Sequence, residues 1–172
     1  MAALGNPVAL FALAALAATP VGAKEPSAFD AGDYVAPFIL ICLQNYANPS
    51  AQVASAKSMH KQTKKDFWKL ESETTTDGTT QLTFRGSSVD VRRGGNNRCA
   101  FSADVGTPVT LDTFGAGVSA AFGGVSPTRR VGPPPDIVWI LKLQGSQNPL
   151  VVTATTSVSG NSNIVTLSVQ DF

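Results

Sequence analysis

The chain holds two cysteines, Cys42 and Cys99, and no others, so the 57 positions that separate them (99 minus 42) decide which parts of the fold meet if they are joined. In an oxidising compartment, two cysteines and no more is the count of one intramolecular disulfide. Closing a loop of that length restricts the unfolded chain by roughly 4 kcal/mol, against a net domain stability of about 5–15 kcal/mol. Other uses of the sulfurs are weaker. A thiol nucleophile needs a general base, and His60, the one histidine, lies on a polar segment. A structural zinc site takes about four Cys or His ligands, whereas the chain has three such residues in all. Two buried free thiols remain the bland alternative.

Residues 1–23, MAALGNPVALFALAALAATPVGA, bear on the compartment. They carry no charged side chain, and their apolar stretch from Val8 to Ala18 lies between Pro7 and Pro20. That stretch is too short for a bilayer, which needs about 20 apolar residues. Val21, Gly22 and Ala23 supply the small residues of a signal-peptidase site, which predicts a signal peptide over 1–23 and a mature chain from Lys24. The missing Lys or Arg in the n-region leaves a mis-set start codon or an uncleaved anchor as alternatives. The expected location is periplasmic or secreted. Residues 24–172 amount to 149 positions (172 minus 23), the size of a single domain. No later apolar run is long enough to span a membrane. The 13 basic and 12 acidic side chains nearly cancel, so charge gives no argument for nucleic acid as a partner.

Local patterns then give the order of elements. Asp33 is a candidate N-cap for an apolar helix over 35–46 with Phe38, Ile41, Cys42 and Leu43 inward. Asn48-Pro49 opens a second helix over 49–65, and the short connection makes the pair a helical hairpin. Phe67 to Leu70 and the threonine run after it, then 79–84, 88–91 and 98–105, read as a meander of short strands with Asp77-Gly78 as one turn. Spacing through Leu111, Phe114 and Val118 predicts a helix over 107–124, followed by a proline-rich loop over 127–136. Three β-rich segments close the chain at 137–143, 149–158 and 163–171, with Gly160-Asn161 between the last two. Strand runs set against segregated helices predict an α+β fold, with the N-terminal helical hairpin and the later helix on one face of an antiparallel sheet.

Few constellations point to chemistry. Gly115-Ala116-Gly117-Val118-Ser119-Ala120 matches a dinucleotide fingerprint in letters, but no βαβ unit surrounds it, so a glycine-containing helix packed closely on the sheet is the better reading. Lys57, Lys61, Lys64, Lys65 and Lys69 form a basic stripe at the end of the second helix, where cations suit the helix dipole. Arg92, Arg93, Arg98, Arg129 and Arg130 lie in or beside two glycine- or proline-rich loops, and would clasp a carboxylate or phosphate if those loops met. Trp68 and Trp139 read as core residues. No catalytic, cofactor-binding or metal-ligating set stands out.

Phe38, Cys42 and Leu43, then Asn48-Pro49-Ser50 with Val53, Ala54 and Ala56, and later Arg98-Cys99-Ala100-Phe101, resemble the pattern of small exported proteobacterial proteins of unassigned function. The resemblance covers about the first half of the mature chain. It implies export and a disulfide from the first helix to the start of a strand, and it implies no activity. A Gly-Trp that closes the second helix in such chains is Phe67-Trp68 here.

These features lead to an exported, non-enzymatic binding protein of the periplasm or cell envelope, with no cofactor and with a protein or a small ligand as partner. Two alternatives are an envelope structural subunit that pairs through edge strands in the threonine-rich C-terminal region, and an enzyme whose site is assembled from the arginine loops and His60.

Overall fold

The computed structural model of the protein describes residues 29–94, 97–130, 132, 135–142 and 148–171. The signal segment expected over 1–23 lies outside the described residues. Helix α1 spans Gly32–Phe38 and passes directly into a π-helical turn at Ile39–Leu43. There the Gln44 N–H bonds to the Ile39 carbonyl five residues back, at 2.9 Å. The wider turn lets the consecutive Ile41, Cys42 and Leu43 all face the interior. Asp33 is not the cap expected: the start of α1 is held by Asp30, whose Oδ1 accepts from the Gly32 N–H at 2.8 Å. Helix α2, Pro49–Thr63, begins as the sequence indicates, with Asn48 Oδ1 accepting from the Ala51 N–H at 3.0 Å. It ends at Lys64 in the left-handed region, φ 53°.

A single 3₁₀ turn at Asp66–Trp68 leads into the sheet. Strands β1 (Leu70–Thr76), β2 (Thr79–Phe84), β3 (Ser87–Arg92) and β4 (Arg98–Asp104) form one antiparallel meander. Helix α3, Leu111–Ala121, crosses to a second meander of β5 (Thr128–Arg130), β6 (Asp136–Leu141), β7 (Leu150–Ser159) and β8 (Ser162–Asp171). The meanders join where β4 pairs with β8, giving one antiparallel sheet in the order β1-β2-β3-β4-β8-β7-β6-β5. Asp77-Gly78 turns β1 into β2, and both residues take positive φ, as a two-residue hairpin turn demands. The C-terminal strands β7 and β8 lie in the middle of the sheet. Its edges are β1 and the three-residue β5, which falls within the stretch that the prolines mark as loop.

Side chains alternate strictly across this sheet. Leu82 and Phe84, Val89 and Val91, Cys99 and Phe101, Val165, Leu167 and Val169, Leu150 and Val152, and Ile137 and Trp139 all point to one face and are buried there. The helices cover that face, which makes the fold α+β with one helical layer. Trp68 stacks on Phe101 with ring centroids 5.4 Å apart and meets Phe84 edge-on at 5.3 Å. Trp139 is fully buried, and its indole N–H donates to Ser119 Oγ at 3.0 Å. Cys42 and Cys99 form the disulfide, which ties the π turn to β4 at the centre of the sheet. Beside it the buried Gln52 side chain donates to the Cys42 carbonyl at 3.1 Å.

Candidate binding site on the open sheet face

The described helices lie on one side, so the alternate residues of each strand face outward with no layer of described residues over them. Register places these residues in rows. One row runs Thr76, Thr79, Arg92, Arg98, Gln170, Val151 and Ile140. The next runs Thr74, Gln81, Asp90, Ala100, Ser168, Thr153 and Val138, and a third contains Thr83, Ser88, Ser102, Thr166 and Thr155. Hydroxyls dominate from β1 to β8, and Ser102 Oγ and Thr166 Oγ1 pair at 2.9 Å. Apart from the small Ala100 of β4, apolar side chains enter with Val151 of β7 and Val138 and Ile140 of β6, and Ile140 is 54% exposed.

The twist of β1 to β4 gives this face a shallow concavity of about 400 Å³, lined by Thr74, Thr76, Thr79, Gln81, Asp90, Arg92, Arg98 and Ala100. That volume is in the range of small-molecule sites. Arg92 and Arg98 are direct cross-strand partners, an arrangement that places like charges side by side and lowers sheet stability. The ion pairs seen among the described residues join Lys57 to Glu73, Lys65 to Asp33, and Arg85 to Asp66 and Glu71; Arg92 and Arg98 take no part in them. Asp90 lies two residues before Arg92 on the same side of β3. Its Oδ1 is shielded from solvent and accepts no hydrogen bond from a described residue, although buried polar atoms are nearly always paired.

The five arginines singled out in the sequence are therefore divided. Arg92 and Arg98 converge, on paired strands and not in loops. Arg93 points the other way, and its Nη2 donates to Ser50 Oγ on α2 at 3.2 Å. Arg129 and Arg130 belong to β5, five strand positions from β3 in the sheet order, which is about 24 Å at the usual strand spacing. Asp90 and Gln81 were not singled out. Their signal was the two-residue period that places Asp90 on the same side as Arg92.

Other sequence candidates have structural roles. Lys57 is bound to Glu73 of β1 at 2.7 Å and Lys65 approaches Asp33 at 3.7 Å, so two members of the basic stripe fasten α2 to its neighbours. His60 lies near the end of α2 on the helical side, its Nδ1 3.1 Å from the Lys65 carbonyl. Gly115 and Gly117 allow close packing: a β-carbon at Gly115 would strike Ile137 of β6, and one at Gly117 would strike Ala31 beside α1. Protonation equilibria are moved at three residues. Burial and then Asp171 push the Tyr46 hydroxyl well above its ordinary value. Burial, then Asp33 and Asp104, raise that of Tyr34. The Gly106 N–H, then Ser162, hold Asp104 below the usual carboxylate value. Among the described residues, no group of three or more His, Cys, Asp or Glu side chains is gathered to hold a metal ion. No helix among them is long and apolar enough to cross a membrane.

Compared with protein-family models, with curated proteins and with solved structures, the chain finds no match.

Proposed function

We propose that the chain is an exported, non-enzymatic binding protein of the periplasm or cell envelope, and that it takes a small polar ligand on the open face of its sheet. The observation that carries this reading is the concavity over β1 to β4, lined together by two facing arginines that join none of the ion pairs among the described residues, an aspartate and several hydroxyls. Like charges side by side disfavour the sheet, and an anionic ligand between them offsets that repulsion. Export is supported by residues 1–23 and by a disulfide, a bond kept in oxidising compartments.

Amide-resolved NMR of the mature chain tests the reading. A panel of small carboxylates, phosphates and polyols should include at least one compound whose saturable shifts fall on β1 to β4 and spare α1, α2 and α3. Two results would overturn it: no shifts on the open face with any compound, or turnover of an ester, phosphate or peptide substrate that a single substitution abolishes in a folded protein.

A structural role through the sheet edges has one observation in its favour, because β1 is exposed along all seven residues. Glu71 and Glu73 on that strand and the register shift between Leu70 and Ser72 oppose pairing with another chain. If this role were the true one, the apparent mass in sedimentation equilibrium would rise with protein concentration.

A further inference from the structure

We infer that the concavity takes an α-amino or α-hydroxy carboxylate, that is, a carboxylate with an N–H or O–H donor on the adjacent carbon. The inference rests on the binding role proposed above and goes further by naming the ligand chemistry.

The arginines can only donate, and their planar forks match the two oxygens of a carboxylate. A carboxylate, the group that Asp90 carries, accepts. A simple anion would answer Arg92 and Arg98 but would sit beside the Asp90 charge, and a simple cation would meet the reverse conflict. A ligand with an acceptor and a donor on neighbouring atoms satisfies both. The fold also gives it a direction. Asp90 is partly buried and lines the floor of the concavity. Arg92 and Arg98 are exposed at the rim, with Arg92 about 7 Å further along β3. The ligand's donor therefore meets the side of the Asp90 carboxyl that lines the concavity, and the ligand's carboxylate lies under the guanidinium groups.

The rest of the lining selects the remainder of the molecule. Thr74, Thr76, Thr79 and Gln81 offer hydroxyls and an amide, and Ala100 is the one apolar residue in the lining. Two arginines against one aspartate leave the site one positive charge. A polar side chain, and best a second carboxylate, suits both facts. The α-amino and α-hydroxy forms share this chemistry, and Asp90 separates them, because its full charge matters more to an ammonium than to a hydroxyl.

Isothermal titration calorimetry at low ionic strength, on the mature disulfide-bonded chain, tests the assignment with L-glutamate, 2-hydroxyglutarate, glutarate and sulfate. Glutamate, 2-hydroxyglutarate or both should bind about tenfold or more tighter than glutarate, the loss expected when a charge-assisted hydrogen bond is missing. Asp90→Asn should bring glutamate down to the level of glutarate, weaken 2-hydroxyglutarate less, and strengthen sulfate, a gain that an unfolded variant cannot show. Arg98→Gln should weaken all four. Equal affinity for glutarate and its two substituted forms, or glutamate binding untouched by Asp90→Asn, would overturn the inference while the binding role stood. If none of the four binds, the inference also fails, and the binding role falls with it only if the NMR panel finds nothing on the open face.

Discussion

Replacing both Cys42 and Cys99 with alanine should lower stability by about 4 kcal/mol through chain entropy alone. The figure comes from the loop: the bond joins positions 57 residues apart, and without it the unfolded chain regains the freedom of that whole segment. Both sulfurs sit at 0% exposure, so their loss also leaves a small void, worth on the order of 1 kcal/mol per methyl-sized gap. In a domain of this size each kcal/mol moves the melting temperature by about 2–4 °C, so a drop of roughly 10 °C or more is expected. Urea unfolding followed by both far-ultraviolet circular dichroism and tryptophan fluorescence is the suitable assay. Trp68 reports on the aromatic contact with β4, and circular dichroism reports on the helices. The two probes should coincide in both proteins. The variant should also show a steeper dependence on urea, because its unfolded state is more expanded. A loss below about 2 kcal/mol with the same steepness would refute the argument from loop closure. Helices that melt before the sheet in the variant would show instead that the bond holds a layer unable to dock without it.

Three further outcomes follow from local geometry. Gly117→Ala should destabilise by about 1 kcal/mol, because a clash with the Cβ of Ala31, worth about 1–3 kcal/mol, outweighs a helix-propensity gain of about 1 kcal/mol. Gly115→Ala should be nearer neutral in the same thermal melts, since the atom in its way is the movable Cδ1 of Ile137. Asp104 accepts from the Gly106 N–H at 2.9 Å and the Asn163 N–H at 3.3 Å, and its folded pKa is lowered. Its contribution is therefore present above its unfolded value, near pH 4, and lost as pH falls through the lower folded value. Urea midpoints of Asp104→Asn should fall less steeply with acid than those of the parent chain.

Much of the fold was legible because its signals are local. Asn48-Pro49 marked the start of α2, Asp77-Gly78 and Gly160-Asn161 marked their turns, and alternation through Leu82 and Phe84 identified both a strand and its buried side. What escaped depends on partners distant in sequence or on backbone detail. Strand β5 exists only through its pairing with β6, and its three residues carry no period of their own. The π turn at Ile39–Leu43 looks like ordinary helix in an apolar run. The threonine-rich C-terminal strands lie inside the sheet because β4 pairs with β8, a contact that no short-range pattern announces. The site shows the same division. Arg92 and Arg98 were visible as residue types, but their meeting depends on the β3–β4 register, and the strand order sets Arg129 and Arg130 at the far edge of the sheet. Asp90 looked like the polar half of a strand, and it gained meaning only when register placed it with Arg92 and Arg98 in the lining of the concavity.

The central claim is that one ligand engages both facing arginines while Asp90 receives its donor. The most direct measurement is an NMR titration of the side-chain Nε–Hε signals of Arg92 and Arg98 with L-glutamate, in the parent chain and in Asp90→Asn. The account predicts that both signals shift together, saturate at a common midpoint in the parent, and need about tenfold or more glutamate in the variant. Signals that move independently, fail to saturate, or respond identically in the two proteins would contradict it.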